Sequence, residues 1–130
     1  MVDRRYLVDT NIFLEILLSQ TKQKDCKEFV EDHFPEITLS QFTLNSIGIS
    51  CFKNKRADLF TGFLYDLASS LPILTLTPPQ LILLETTINS NLLDYDDSYQ
   101  LITAQIHNLE IVTLDQDFKK VQNQIKVHFL

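Results

Sequence analysis

Short β-branched or apolar runs alternate with amphipathic stretches along this chain. The runs "YLV", "EITLS", "PILTL", "LEIVTL" and "IKVHFL" are typical of strands. Strands that alternate with helices favour a mainly parallel sheet that is covered by helices on both faces. We therefore predict an α/β fold in three layers, with a sheet of four to five short strands flanked by helices.

The amphipathic stretches define the expected helices, because their apolar residues recur three or four positions apart. Ser40 is well suited to cap the helix that follows it, and Pro78 and Pro79 suit the first turn of another helix. Asp96 or Asp97 is expected to cap the helix "DSYQLITAQIHN". The helices predicted before Pro78 span residues 11–18, 22–33, 41–53 and 57–69.

The chain has 130 residues, of which 45% are hydrophobic. That is enough for a core without disulfides or a structural metal, so we expect one domain over residues 1–130. Cys26 and Cys51 are solitary and are expected in the core. No apolar run approaches the roughly 20 residues that span a bilayer, so we expect neither a signal peptide nor a membrane helix, and a cytoplasmic location.

Seventeen acids against eleven bases give a net charge of -6. This charge repels a nucleic-acid backbone unless metal ions neutralise the acids or the bases are grouped. The bases form three small groups, which on general grounds are solvated surfaces: Arg4 and Arg5; Lys53, Lys55 and Arg56; Lys119 and Lys120.

Acids follow two predicted strands, Asp9 after "YLV" and Asp115 after "IVTL", and Asp97 stands at the start of the helix before the second of them. In a parallel sheet the carboxyl ends of the strands and the starts of the helices face one crevice, so the three carboxylates are expected to converge. A converging cluster of acids implies raised pKa values or a bound hard cation such as Mg²⁺ or Mn²⁺. Taken singly, each aspartate also suits a turn or a helix cap.

Two segments resemble the PIN-domain family. The first is "YLVDTNIFLE", and the second is "LDYDDSYQLITAQIHNLEIVTLDQDFKKV", which contains the T-x-D-x-D-F run of that family. The resemblance implies a ribonuclease whose metal site is formed by Asp9, Asp97 and Asp115. It also implies supporting polar roles for Asn11, Thr113 and Asp117. The toxins of bacterial VapBC toxin-antitoxin pairs are the most similar in style, which implies an antitoxin partner and a homodimer.

One departure concerns the third helix, where family members usually carry a glutamate six residues beyond the capping Ser or Thr. Counting six from Ser40 reaches Ser46, which adds no charge to hold a cation. Four other acids, Glu15, Glu85, Asp94 and Asp96, are expected to be surface or capping residues first, although Asp94 or Asp96 could share the ligand role.

The leading hypothesis is a Mg²⁺ or Mn²⁺ dependent endoribonuclease in which Asp9, Asp97 and Asp115 hold the metal and the basic groups steer RNA. The alternative is a degenerate PIN domain that binds RNA or protein without cutting, motivated by Ser46. A phosphoryl-accepting domain fits poorly, because Asp9 is followed by Thr10 and Asn11 rather than by a second acid. The scattered histidines and isolated glycines favour neither a His-based site nor a phosphate loop.

Overall fold

A parallel five-stranded sheet forms the centre of the computed structural model, which describes residues 4–130. Its strands are β1 (Tyr6–Val8), β2 (Ile37–Ser40), β3 (Ile73–Leu74), β4 (Glu110–Thr113) and β5 (Val127–Phe129). They lie in the order β3-β2-β1-β4-β5, and each neighbouring pair is parallel. This confirms the predicted sheet. It also places the carboxyl ends of β1 and β4 side by side.

Seven α-helices connect the strands of the described chain. They are α1 (Thr10–Leu17), α2 (Gln23–His33), α3 (Gln41–Lys53), α4 (Ala57–Asp66), α5 (Pro78–Leu81), α6 (Leu83–Asn91) and α7 (Tyr95–His107). Three 3₁₀ turns complete the order, at Phe34–Glu36, Ala68–Ser70 and Gln116–Val121.

The central strand shows that the sheet is covered on both faces. Alternate side chains of a strand point to opposite faces. Tyr6 and Val8 pack in a buried cluster that holds residues from α1 to α4. Leu7, which lies between them, packs instead in a second cluster with Leu101 and Ala104 of α7. The fold therefore has the three predicted layers.

The caps of two helices decide which side chains remain available at the end of the sheet. Ser40 caps α3 as predicted, because its Oγ accepts a hydrogen bond of 3.0 Å from the amide of Thr43. The cap predicted for α7 is wrong. The helix begins at Tyr95, and the Oδ1 atom of Asp94 accepts the amide of Asp97 at 3.2 Å. The carboxylate of Asp97 is thereby left without a capping role.

Two boundaries are shorter than the sequence pattern suggested. Helix α4 ends at Asp66, and a 3₁₀ turn follows at Ala68–Ser70. Strand β3 is reduced to Ile73–Leu74 because Leu74 lies opposite Ser40, the last residue of its neighbour β2. Within residues 4–130, none of the helices has the length and apolar character needed to cross a membrane.

Candidate metal centre

A crevice of about 320 Å³ opens at the carboxyl ends of β1 and β4. Asp9 directly follows β1, Asp115 lies two residues beyond β4, and Asp97 lies in the first turn of α7. All three carboxylates line this crevice, together with Asp96. The topology therefore brings together the three acids that the sequence singled out.

Asp9 is held in place by four donors and is only 7% exposed. Its Oδ1 atom accepts the amide of Thr10 at 2.9 Å and the Nε2 atom of Gln100 at 3.2 Å. Its Oδ2 atom accepts the hydroxyl of Thr113 at 2.8 Å and the Nδ2 atom of Asn11 at 3.4 Å. The carboxylate is thus oriented by groups from three different elements, α1, β4 and α7.

Asn11 and Thr113 also connect Asp9 to the loop after β4, which carries Asp115. The Oδ1 atom of Asn11 accepts the amide of Leu114 at 3.2 Å. The hydroxyl of Thr113 accepts the amide of Asp115 at 2.9 Å. These two side chains lock the loop after β4 to the start of α1, and Asp115 is placed against Asp9 as a result.

Asp97, Asp115 and Asp117 form the tightest group of acids in the described part of the chain. One carboxylate oxygen from each lies within 4.8 Å of the other two. The Oδ1 atom of Asp115 also accepts the amide of Asp117 at 2.9 Å. Asp117, which the sequence placed in a supporting role, is therefore as close to Asp97 and Asp115 as a shared cation would require.

The electrostatics of the crevice disfavour the ionised form of its acids. Burial, followed by the charges of Asp115, Asp94 and Asp9, raises the pKa of Asp97 to about 8. Burial also raises the pKa of Asp9, and the charge of Asp115 adds to this effect, although the hydrogen bonds from Thr113, Gln100 and Thr10 oppose it. The crevice holds more negative charge than its surroundings compensate.

This donor set fits a hard divalent cation. Carboxylate oxygens are the ligands that Mg²⁺ and Mn²⁺ prefer. A cation between Asp97, Asp115 and Asp117 would favour their ionised forms and remove the repulsion that raises the pKa of Asp97.

Helix α3 supplies the opposite wall of the crevice, and this wall is uncharged. It is formed by Phe42, Ser46, Ile49 and Ser50, with Leu14 of α1 beside them. Ser46 therefore faces the acids from the position where the family pattern has a glutamate. Its hydroxyl can accept or donate hydrogen bonds but contributes no negative charge.

Gln100 and Thr43 are site residues that the sequence reasoning missed. The Nε2 atom of Gln100 donates to the Oγ1 atom of Thr43 at 2.7 Å as well as to Asp9. Both residues are buried, at 2% and 0% exposure. The available signal was a glutamine three positions after Asp97, directly before the mostly apolar run "LITA".

Of the four other candidate acids, Asp96 lines the crevice, and the remaining three have other positions. Glu15 accepts the amide of Lys22 at 2.8 Å, close to the start of α2. Glu85 is exposed on α6, and Asp94 is the α7 cap. Of the basic groups, Lys120 lies beside the crevice, with its Nζ atom 3.9 Å from Asp117.

The model of the PIN domain family matches residues 6–124, which include both acid strands and every crevice residue named above. No curated protein matches the chain in sequence.

Solved structures share the fold over nearly the whole chain. A toxin-antitoxin complex from Klebsiella pneumoniae is 24% identical, with a TM-score of 0.70 over 87% of this chain and 89% of that chain. VapBC2 from Rickettsia felis, bound to a DNA fragment from its promoter, is 18% identical, with a TM-score of 0.76 over 99% of both chains. DNA-bound VapBC from Salmonella typhimurium is 17% identical, with a TM-score of 0.76 over 96% of this chain and 97% of that chain.

Proposed function

The chain belongs to the PIN domain family, and we propose that it is a divalent-metal-dependent endoribonuclease. In this proposal Asp9, Asp97 and Asp115 hold Mg²⁺ or Mn²⁺ at the carboxyl ends of β1 and β4. Asp117 lies close enough to share the cation. The cation, when bound, would polarise the phosphodiester and lower the pKa of an attacking water.

The observation that carries the proposal is the convergence of uncompensated carboxylates in an open crevice. Asp9 and Asp97 are 7% and 6% exposed, and both have raised pKa values. Such an arrangement costs stability unless a cation offsets it, so it is more readily explained by a binding site than by a structural role.

The remaining crevice residues would position this site. Asn11 and Thr113 hold Asp9 and the loop after β4, so they fix the spacing between the acids. Ser46 would reach the metal's water shell only through a neutral hydroxyl. Groups that orient ligands in this way typically change metal affinity or activity by about 10- to 100-fold when they are lost.

A second candidate function follows from Ser46 itself. A PIN domain with one acid fewer on α3 would bind a cation more weakly, and could act as an RNA- or protein-binding module without cutting. The uncharged wall of Phe42, Ser46 and Ile49 favours this candidate over other non-enzymatic roles, because it offers an apolar surface beside the acids.

We also propose that the chain is the toxin of a toxin-antitoxin pair. The structures that share its fold include a toxin-antitoxin complex and two DNA-bound VapBC structures. A basic tail of a small antitoxin would complement the acidic crevice and the net charge of -6. A homodimer and a cytoplasmic location belong to the same proposal.

Cleavage of a mixed pool of structured RNAs in Mn²⁺, Mg²⁺ or EDTA tests the enzymatic proposal. The chain is purified free of any partner, beside the Asp115→Asn and Ser46→Glu variants. Asp115→Asn is preferred to Asp9→Asn because Asp9 accepts four hydrogen bonds and its replacement would also disturb folding. Asp32→Asn, which removes an exposed acid of α2, is the charge-matched control.

Metal-dependent cutting that Asp115→Asn abolishes and Asp32→Asn retains would support the nuclease. Activity only in Ser46→Glu would favour the binding module, since the fold and the rest of the site would then be competent. Cutting that persists in EDTA, or in a folded Asp115→Asn variant, would contradict the proposal.

A further inference from the structure

The crevice has two walls of opposite character. One wall carries Asp9, Asp97 and Asp115, and the other is a stripe of α3 that presents Phe42, Ser46, Ile49 and Ser50. These α3 residues are spaced four, seven and eight positions from Phe42, so they lie on one face of the helix. A ligand that fills the crevice would therefore meet charge on one side and an uncharged, partly apolar surface on the other.

Phe42 of the uncharged wall also belongs to a cluster of three aromatic rings. The ring of Phe42 lies 5.5 Å from that of Tyr99 and 6.0 Å from that of Tyr95, and the two tyrosine rings are 6.4 Å apart. Tyr99 is buried, and its hydroxyl accepts the amide of Leu76 at 3.2 Å. The inner ring is thus fixed, and it supports the other two.

Tyr95 is the outer member of this aromatic cluster and is 48% exposed. It is the first residue of α7, two positions before Asp97, so the turn capped by Asp94 sets the position of both side chains. An exposed ring that contacts Phe42 is therefore held in the same helical turn as the buried carboxylate of Asp97.

We propose that Phe42 and Tyr95 form a stacking platform for an unpaired nucleobase next to the scissile phosphate. This inference rests on the proposed ribonuclease function and names the residues that would select single-stranded RNA. A phosphate that faces the acids and their cation would direct its neighbouring base toward the α3 wall. Bases in a duplex are already stacked and paired, whereas those of a single strand are free to stack on aromatic side chains.

Stacking would also supply binding energy for RNA that the net negative charge of this chain does not supply. A net charge of -6 gives little general attraction for a phosphate backbone. Attraction between a base and an aromatic ring does not depend on net charge, and it works for every base because each has a π-face. The platform would thus supply binding energy and a preference for single strands together.

The test measures binding of a short single-stranded RNA that carries 2-aminopurine, whose fluorescence falls when the base stacks. Binding is followed in Ca²⁺, and the length of the RNA is checked on a gel after each titration. Tyr95→Leu removes the flat ring but keeps apolar bulk, and Tyr95→Phe keeps the ring. Tyr65→Leu removes another exposed tyrosine, which is 80% exposed on α4 and lies outside the cluster of Phe42, Tyr95 and Tyr99.

We expect Tyr95→Leu to weaken binding about five- to tenfold and to reduce the quenching, because stacking on one half-exposed ring lies at the low end of the usual range. Tyr95→Phe and Tyr65→Leu should bind like the natural chain. A duplex of the same sequence should bind more weakly than the single strand. Phe42→Leu should reproduce the loss seen with Tyr95→Leu.

Equal affinity across all four variants, or equal affinity for the duplex, would overturn the platform. It would also be overturned if Tyr95→Leu converts a dimer to a monomer in sedimentation without changing RNA affinity, since the aromatic cluster would then be a subunit contact. Absence of any RNA binding by the natural chain would overturn it together with the proposed function. Binding that depends on Tyr95, without cleavage in Mn²⁺, would support the platform while the cleavage proposal fails.

Discussion

Replacing Asp97 by asparagine should stabilise the metal-free protein near neutral pH. Burial, followed by the charges of Asp115, Asp94 and Asp9, raises the pKa of Asp97 from 3.8 to about 8. A carboxyl with a raised pKa binds its proton more tightly in the folded chain than in the unfolded chain. The free energy of unfolding therefore falls as the pH rises from about 4 to about 8.

The size of this effect follows from the pKa difference. A pKa raised from 3.8 to about 8 corresponds to a ceiling of about 6 kcal/mol, since a difference of one in pKa is about 1.4 kcal/mol. Asp97 shares its repulsion with neighbouring acids, and the crevice is open to water, which screens the charges. We therefore expect the Asp97→Asn variant to be about 2 kcal/mol more stable than the natural chain at about pH 7.5.

Urea unfolding in EDTA at about pH 5 and about pH 7.5 measures this difference. The gain should shrink to less than half at the lower pH, because pH 5 lies only about one unit above 3.8, the ordinary pKa of the carboxyl, and keeping Asp97 protonated in the folded chain then costs less free energy. Addition of Mg²⁺ should narrow the gain at the higher pH, because the natural chain binds the cation better than the variant. A variant that loses stability at both pH values, or gains equally at both, would refute this account of Asp97.

Two further substitutions test an ion pair at the amino end of β4 and a hydrogen-bond donor within the site. Burial disfavours the ionised form of Glu110, but hydrogen bonds from Arg5 and His128 outweigh it and lower its pKa to about 2. The stabilisation by Glu110 is present above about pH 4.5 and is lost as the pH falls toward 2. Glu110→Gln should therefore cost about 1 kcal/mol at neutral pH, after solvent screening is allowed for. In thermal unfolding, the difference in melting temperature between the variant and the natural chain should shrink as the pH falls from 4.5 toward 2. Gln100→Leu should cost about 1–3 kcal/mol in urea unfolding, because Asp9 loses a buried donor at 3.2 Å, and a cost near zero would show that water replaces the amide.

The fold could be predicted from local patterns because the central strands are short, contain β-branched residues and are buried. Ile37 and Leu39 in β2, and Ile111 and Val112 in β4, are all buried. The length of the edge strand β3 was less predictable. The run "PILTL" has a full strand pattern, and yet only Ile73–Leu74 pair with a neighbouring strand. The number of paired residues in an edge strand depends on the length of its partner, and the local sequence does not contain that information.

The α7 cap shows a different limit. The segment "LDYDDS" offers three aspartates within four positions, and each has a side chain suited to capping. The structure uses Asp94, which leaves Asp97 inside the first turn and directed into the crevice. Local propensity is nearly the same for the three residues. The packing of α7 against the sheet, through Leu101 and Ala104, selects among them.

The acids of the site were predictable because topology alone brings strand ends together, whereas the residues that hold them were not. Gln100 and Thr43 lie on different helices, and only the tertiary contact between α7 and α3 places the amide 2.7 Å from the hydroxyl. Phe42 looked like an ordinary residue of an amphipathic helix, and Tyr95 lay before the predicted cap of α7. The contact between their rings at 6.0 Å depends on how α3 and α7 cross, which periodicity does not specify.

Ser46 affects the folding of the metal-free chain and the binding of a cation in opposite directions. The raised pKa of Asp97 shows that the crevice already holds more carboxylate than it can ionise without compensation. A glutamate on the α3 wall would add to that repulsion, so the neutral Ser46 lowers the cost of folding without metal. The same missing charge weakens attraction for a divalent cation, because one Coulomb interaction governs both effects. The natural chain is therefore expected to be more stable without metal, and to bind a divalent cation more weakly, than a variant with glutamate in place of Ser46. Its activity depends on whether the carboxylates of Asp9, Asp97, Asp115 and Asp117 together carry enough charge to hold the ion.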